Sequence, residues 1–471
     1  MVEPAVAFVT LGCARNDVDS EELASRLRLA GWRIVSDADE ANAVIVNTCG
    51  FIDAAKKDSI DTILEYADDA RPVIAVGCMA ERYGAELAQA LDEAHAVLGF
   101  DDYPAIAERL SSVLAGERHV AHAPRDRRQL LPIAPVDRPG AGGHLPGHGQ
   151  GAEPATGWQP PVLRHRLDNG PIAPVKLASG CDRRCTFCAI PSFRGSFISR
   201  SPDEVLAEMS WLAKEGVVEA VLVSENSTSY GKDLGDPQLL ERLLGQLGET
   251  GIVRSRVAYL QPAEVRPGLI DAIAGVPAVA AYFDLSFQHA SASVLRRMRR
   301  FGGTEDFLAL LDRVRSASPQ AGVRSNVIVG FPGETQQDID ELCSFLVHAR
   351  LDAIGVFAYS DEEGTAAADF PDKVDAADIA ERFAHVSSVA EMVMADRAEE
   401  RIGEQVQVIV IGRDEDAGGA LGRAEHQGPD DGVVLVPDAD LPVGAVIRAV
   451  VTGAEGADLL ARGISGSGDL A

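Results

Sequence analysis

The chain is short of cations. Its 471 residues carry 43 Lys and Arg against 72 Asp and Glu, a formal net charge of −29. A field of that sign repels phosphate backbones and attracts basic partners. It counts against a polyanion as the main ligand. Long apolar runs are also missing. No stretch of about 18 or more apolar residues occurs, so no membrane span is expected. The opening Met-Val-Glu-Pro has neither a basic region nor an apolar core, so no secretory signal is expected. Cysteine is scarce, seven in all. That is no disulfide framework for a chain this long, and a reducing cytoplasmic setting is expected.

The few cysteines are not scattered. Six of the seven fall into two triplets. Cys181, Cys185 and Cys188 have the spacing C-x₃-C-x₂-C within Ser179–Gly195. Three thiolates this close can hold three irons of a cubane cluster, and no fourth Cys follows nearby to close it. One iron then stays open for a substrate or cosubstrate. The competing reading is a zinc knot, but zinc usually takes C-x₂-C pairs and four closed ligands, or three and water.

The second triplet is built differently. Residues 1–120 alternate apolar strands, Ala5–Leu11, Ala43–Thr48 and Val73–Gly77, with helical stretches Ser20–Ala30 and Asp53–Ala67. Asp19 or Ser20 is the expected cap of the first helix and Gly31 its end. Alternating β and α implies a doubly wound parallel sheet. Cys13, Cys49 and Cys78 each follow one of the three strands. In an open parallel sheet the carboxyl ends of the strands lie along one edge, where ligands bind. The three thiols are therefore expected to converge. Gly12, Gly50 and Gly77 beside them would allow close backbone approach.

Residues 121–165 break this pattern with a Pro/Gly-rich stretch that reads as a flexible linker, His144 and His148 included. From 166 to 398 the βα alternation resumes. Six strand candidates follow: Ile172–Leu177, Ala220–Ser224, Val253–Leu260, Tyr282–Phe287, Val323–Val329 and Ala353–Tyr359. Six such units suit an open (β/α)₆ barrel, with the first Cys triplet in the loop after its first strand, on the face where barrels carry their chemistry. Ser201-Pro-Asp-Glu204 reads as a helix start. Residues 399–463 lose the helical period. The strands Val406–Ile411, Gly432–Val436 and Ala445–Val451 suggest a small antiparallel barrel, and 464–471 a tail. Cys343 reads as a structural thiol on a helix face.

The C-x₃-C-x₂-C loop, with aromatic Phe187 before its last Cys, resembles the radical S-adenosylmethionine superfamily. The three-part order, with a Cys triplet in each of the first two parts, resembles the methylthiotransferases of that superfamily, whose last part is a TRAM domain. Asn-Thr-Cys49-Gly and Gly-Cys78-Met-Ala-Glu look like the amino-terminal domain of that family, and Leu-Gly-Cys13, Ala-Ile-Pro-Ser-Phe-Arg-Gly195, Phe-Gln288-His-Ala-Ser and Gly355-Val-Phe-Ala-Tyr-Ser look like its RimO branch. The related tRNA-modifying, MiaB-like branch typically reads Val-Val-Pro-Tyr-Thr-Arg-Gly in the cluster loop. The resemblance implies two 4Fe-4S clusters, on Cys181/Cys185/Cys188 and Cys13/Cys49/Cys78. It implies S-adenosyl-L-methionine as cosubstrate, cleaved by one electron to a radical that removes hydrogen from an aspartate β-carbon. It implies small-subunit ribosomal protein twelve as target, free or in the assembling ribosome, and a reductant such as flavodoxin or ferredoxin. Methylthiolation of tRNA adenosine is the alternative.

Weaker cofactor candidates follow from the same resemblance. Asn326-Val-Ile-Val-Gly330 looks like the segment that contacts adenine, or is a plain βα turn. Gln288 would contact ribose or substrate, or is a strand-end polar residue. Glu225 would hold the methionine amino group, although Ser224-Glu-Asn-Ser departs from the usual Gln-Asp-Thr form. Arg296, Arg297, Arg299 and Arg300 read as a solvated face or as a contact to a carboxylate. The last part, 402–471, holds twelve Asp and Glu against four Arg and no Lys. Its acids Asp414, Glu415, Asp416, Asp430 and Asp431 are expected to meet a cationic protein rather than RNA.

Overall fold

The structure is a computed structural model and describes residues 3–67, 71–117, 119–127, 164–415, 418–437 and 439–464. Most of the expected linker, with His144 and His148, lies outside the described residues, as does Asp416.

The amino-terminal part is a five-stranded sheet. Its strands are β1 (Ala5–Thr10), β2 (Arg33–Val35), β3 (Ala43–Thr48), β4 (Val73–Val76) and β5 (Ala94–Val97), in the order β2-β1-β3-β4-β5. All pairings are parallel. β3 and β4 are buried along their whole length, with apolar clusters on both faces, as a central parallel strand must be. β2 and β5 are edge strands too short to leave a period in the sequence. The first helix is Ala14–Leu29, and Cys13, extended at φ −115°, occupies its N-cap position. Asp19 and Ser20, expected as caps, lie inside this helix and are buried. They are not caps because each is taken by a tertiary partner. Asp19 pairs with Lys176 and Arg194. The Ser20 hydroxyl lies 2.6 Å from that of Thr10 and accepts from Asn47 at 2.9 Å.

The central part holds β6 (Ile172–Lys176), the short antiparallel pair β7 (Ala178–Ser179) and β8 (Ile198–Ser199), then β9 (Glu219–Val223), β10 (Arg254–Val257), β11 (Tyr282–Asp284), β12 (Gly322–Val329) and β13 (Ala353–Ala358). Two three-stranded parallel sheets, β10-β9-β6 and β11-β12-β13, are joined through bridges Ser255↔Val279 and Leu260↔Leu285. Among the described residues no pairing joins β6 to β13, so the barrel is open. Alternation sorts its faces. Ala220, Leu222, Val257, Phe283, Val323 and Val327 enter the large core under the helices. Val221, Val223 and Ala258 face inward with Ile172 and Tyr259. The helix start at Ser201 is as expected: Ser201 and Glu204 cap each other reciprocally, with Pro202 in the first turn.

The last part is a closed barrel of β14 (Gln405–Asp414), β15 (Gly419–Ala424), β16 (Val434–Pro437), β17 (Val446–Glu455) and β18 (Asp458–Gly463). Four of its pairings are antiparallel and one, β16 with β18, is parallel. β15 and β18 escape the sequence reading because Gly-Ala-Leu-Gly-Arg-Ala and Asp-Leu-Leu-Ala-Arg-Gly have little β propensity.

This small barrel packs on the amino ends of the central strands. The Arg254 guanidinium, at the start of β10, donates to the carbonyls of Gln407 (3.1 Å) and Arg423 (3.0 Å). Arg256 donates to the Glu425 carbonyl at 2.8 Å. Glu219, the first residue of β9, accepts from both arginines. Tyr282, which opens β11, donates its hydroxyl to Asp431 at 2.6 Å, and Arg324 donates to Asp431 at 2.9 Å. Asp431 is thus a buried fastening and not a surface acid awaiting a cationic partner. The expectation that it recognises substrate is corrected: folding spends its charge on Arg324.

Candidate functional site

The carboxyl ends of both parallel sheets meet at the other side of the central barrel. Cys13 follows β1, Cys49 follows β3, and Cys78 lies in the first turn of the helix after β4. The backbones approach as closely as the glycines allow. A Cβ at Gly12 would stand 2.8 Å from the Cβ of Cys49, and one at Gly50 2.7 Å from the Cα of Met79. Asn16, fully buried, ties the three strand ends together. Its amide donates to the Leu11 carbonyl (2.7 Å) and the Thr48 carbonyl (3.2 Å), and its Oδ1 lies 3.6 Å from Cys78 Sγ.

The second triplet sits in the loop after β7. The Cys181 amide donates to the Gly195 carbonyl at 3.0 Å and the Cys188 amide to Cys185 at 3.2 Å. Thr186 pins the loop, donating through its amide to Met298 (3.2 Å) and through its hydroxyl to Arg297 (2.9 Å). Phe187 packs with Met298, Ile328, Phe331 and Tyr359, which anchors the loop to the barrel wall. Cys343 is half-buried at the edge of the core, away from both triplets.

Two arginines and one carboxylate join the triplets. Arg15, two residues after Cys13, reaches into the barrel. It donates to the Ser224 carbonyl at 3.0 Å, lies 3.5 Å from Glu225, and stacks 5.1 Å over the Tyr259 ring. Arg194, from the cluster loop, reaches the other way. Its Nη2 donates to Cys78 Sγ, Asn16 Oδ1 and Asp19, each at 3.1 Å, and its Nε lies 3.7 Å from Glu225. The Glu225 side chain is 1% exposed, yet neither of its oxygens accepts a hydrogen bond. A buried carboxylate with ionic neighbours and no donor is costly unless something further binds there.

The thiols feel this environment. Burial opposes ionisation of Cys13, but Arg15, Arg194 and two backbone hydrogen bonds outweigh it and hold the thiol below its ordinary range. Burial pushes Cys49 up, and pushes Cys78 up to about 11 despite Arg194. It pushes Cys181 up to about 12 and raises Cys188 as well. Four of the six thiols thus resist ionisation as they stand, and a bound metal would be what deprotonates them.

The weaker candidates fall at the same mouth. Gln288 is left-handed at φ 71°; its amide donates to the Asn326 carbonyl at 2.9 Å and its carbonyl accepts from Ile328 at 2.7 Å. Asn326 faces inward, and its Oδ1 is buried without a donor. Gly330 ends β12 against Ile379, with its amide taken by Glu334 at 2.8 Å. Neighbouring His289, fully buried, has its Nε2 3.4 Å from Glu334, with no hydrogen bond made by either atom. Sequence reasoning did not single out Arg15, Asn16, Arg194 or Tyr259. A signal existed for the first three, since Arg194 lies within Ala-Ile-Pro-Ser-Phe-Arg-Gly195 and Arg15 and Asn16 follow Cys13 by two and three residues. None existed for Tyr259.

Open barrel, three-cysteine loop and facing second triplet together define a radical S-adenosylmethionine enzyme. Residues 175–346 match the Radical SAM superfamily, residues 402–464 the TRAM domain, and residues 5–99 a family described as Uncharacterized protein family UPF0004. Among solved structures, the radical S-adenosylmethionine methyltransferase TsrM from Kitasatospora setae shares the fold. It aligns with a TM-score of 0.54 at 15% identity, over 76% of this chain and 75% of that one. The chain is 60% identical to the ribosomal protein uS12 methylthiotransferase RimO of Streptomyces coelicolor, over 98% of this chain and 97% of that protein. It is 60% identical to the RimO of a Nocardioides species over 97% of each chain, and 57% identical to that of Salinispora arenicola over 97% and 94%. The chain belongs to the RimO family of methylthiotransferases.

Both triplets suit the clusters that this family implies. The thiols of each triplet lie close enough to raise one another's pKa, and cationic Arg15 and Arg194 stand beside the first to offset thiolate charge. Among the described residues no three Cys, His, Asp or Glu side chains are grouped tightly enough for a single metal ion. Thiolates around a four-iron cubane stand further apart than those around one zinc.

Proposed function

We propose that this chain transfers a methylthio group to ribosomal protein uS12, at the β-carbon of an aspartate. The observation that carries the reading is the meeting of two cysteine triplets across one barrel mouth, bridged by Arg15, Glu225 and Arg194. An unactivated C–H bond cannot be ionised by side-chain acids or bases, so a cofactor must supply the reactivity. The two 4Fe-4S clusters, when bound, supply the reductive cleavage of S-adenosylmethionine and the sulfur that is transferred.

The chain's own residues hold and aim these groups. Cys181, Cys185 and Cys188 hold one cluster and leave one position open. Cys13, Cys49 and Cys78 hold the other, with Arg194 donating to the Cys78 sulfur. Glu225 receives the ammonium of the cosubstrate, which satisfies its two vacant oxygens. Asn326 and Gln288 meet the adenosine, Asn326 through its donor-free Oδ1.

The substrate is the protein rather than tRNA. Its relatives carry uS12 in their names, and a net charge of −29 suits a cationic target better than a polyanion. Asp431, and with it the small barrel, lies on the opposite face, so recognition belongs to the rim around the triplets. We place the reaction in the cytoplasm, on uS12 free or in the assembling small subunit, with a low-potential protein as electron donor. No helix among the described residues is long and apolar enough to cross a membrane. The test offers the anaerobically reconstituted chain uS12 and bulk tRNA in parallel. One methylthio increment on an aspartate of uS12 is expected; transfer to tRNA adenosine with none to the protein would refute the reading.

A further inference from the structure

The arginine side chains of the run after Gln288 lie outside the bridge between the two triplets. Arg296, Arg299 and Arg300 line a cavity of about 650 Å³ together with Arg183, Arg184 and Phe301. The cavity is bounded by the cluster loop itself. The Arg300 guanidinium lies 3.8 Å from Cys185 Sγ and also donates to the Ser286 carbonyl. Arg184, Arg296 and Arg299 are exposed, and among the described residues none of them pairs with a carboxylate. Arg183 is the lining arginine with an acidic partner, Glu264. Arg299 is left-handed at φ 55°, an unusual conformation for a residue other than glycine. Phe301 is 72% exposed in the middle of these charges.

Five arginines against one carboxylate, Asp182, around one concavity form a local positive focus in a chain of net charge −29. An apolar ring within a charged rim is the make-up of a transient protein interface. We propose that this cavity docks a small acidic protein carrying a one-electron cofactor, which reduces the cluster held by Cys181, Cys185 and Cys188. The proposal rests on those cysteines holding a cluster. In the step the donor's cofactor is oxidised by one electron and the cluster is reduced by one; no bond and no proton moves. The cavity suits this step because its wall includes Arg300, which touches a cluster cysteine, so a docked partner stands next to the group it reduces. An RNA strand fits less well. Phosphate backbones are held by many cations spread along a tract, whereas here the cations form one compact focus on an otherwise acidic chain.

The test uses the full chain reconstituted with iron and sulfide, with purified acidic flavodoxin in its fully reduced form as probe. Two variants are compared with the parent: Arg184→Glu/Arg296→Glu/Arg299→Glu, and Phe301→Ala. Flavodoxin affinity and the rate of cluster bleaching by flavodoxin are measured at low and at physiological salt. Bleaching by dithionite, which needs no docking site, serves as reference, and circular dichroism checks folding. The triple reversal is expected to weaken flavodoxin binding and slow reduction by it at least tenfold, and Phe301→Ala to do so several-fold. Dithionite bleaching should stay unchanged, and added salt should weaken parental binding. Flavodoxin binding and reduction unaltered in the triple variant would overturn the proposal. So would loss of binding to a 16S rRNA fragment with flavodoxin binding intact, which would assign the patch to RNA. A parent chain that takes up no iron, or is not bleached by dithionite, would instead overturn the cluster reading beneath it.

Discussion

Glu219 opens β9, and Glu225 lies in the loop just beyond the carboxyl end of the same strand, six residues on. Both are buried, and both lie between two arginines. Glu219 is saturated: Arg254 and Arg256 donate to both of its oxygens, and the same arginines grip the carbonyls of the small carboxyl-terminal barrel. Glu225 has cations at 3.5 and 3.7 Å and no donor on either oxygen. The first arrangement closes one end of the barrel. The second leaves the other end ready for a ligand. A buried carboxylate alone therefore says little about function; what matters is whether the fold has already used its lone pairs.

The largest effects should come from the cysteines at the open end. Replacing Cys181, Cys185 and Cys188 by Ala should abolish S-adenosylmethionine cleavage, with about half of the iron retained. Replacing Cys13, Cys49 and Cys78 should leave cleavage but stop methylthio transfer. Iron content unchanged by the second replacement would rule out two clusters.

The two glutamates should then part company. Glu219→Gln leaves two buried arginines underpaired and should cost about 3–5 kcal/mol in denaturant unfolding, with activity per folded molecule kept. Glu225→Gln should weaken S-adenosylmethionine binding at least tenfold, about 1.4 kcal/mol, with a much smaller loss of stability. Equal losses of stability, with S-adenosylmethionine affinity intact in both, would erase the distinction.

Acid should act on the closed end. Burial opposes ionisation of Glu219, but Arg254 and Arg256 outweigh it and lower its pKa from 4.5 to about 2. A lowered carboxylate pKa stabilises fully above the unfolded value and loses that stabilisation as pH falls through the folded one. Unfolding scans from pH 5 to pH 2 should show a progressive loss that is smaller in Glu219→Gln, the remainder coming from other paired carboxylates such as Glu264 and Asp338, whose pKa values are also lowered to about 2. A loss of the same size and slope in the variant would place its origin elsewhere.

The smallest pair of effects separates two neighbouring acids. Asp431→Asn strips charge from a buried contact with Tyr282 and Arg324 and should cost about 1–3 kcal/mol. Asp430, with its side chain 80% exposed and 3.6 Å from Arg324, should cost under about 1 kcal/mol when neutralised. Thermal melts of the two variants would show whether burial, and not charge count, ranks them.

Much of this was legible in the chain. The C-x₃-C-x₂-C spacing is local, and so is each apolar run that ends in a cysteine. Local patterns report strands, and parallel strands put their carboxyl ends on one edge, so convergence of Cys13, Cys49 and Cys78 followed from topology. The helix start at Ser201 was equally local. The edge strands β2 and β5 and the glycine-rich β15 were not, because pairing rather than propensity makes them strands. The true start of the first helix was also hidden, since Asp19 and Ser20 look like caps until their partners, Lys176 and Thr10, are known.

Residue types and their spacing determined the class of chemistry, the two cysteine triplets and the order of the three parts. Only the tertiary structure decided which charges remain available. It assigned Asp431 and Glu219 to holding the small barrel, left Glu225 without donors between two cysteine triplets, and gathered arginines around a cavity at Cys185. The reason is physical. Ligand spacing is written along the backbone, whereas the free energy of a buried charge depends on groups 30 to more than 200 residues away, which only folding brings within a few ångströms.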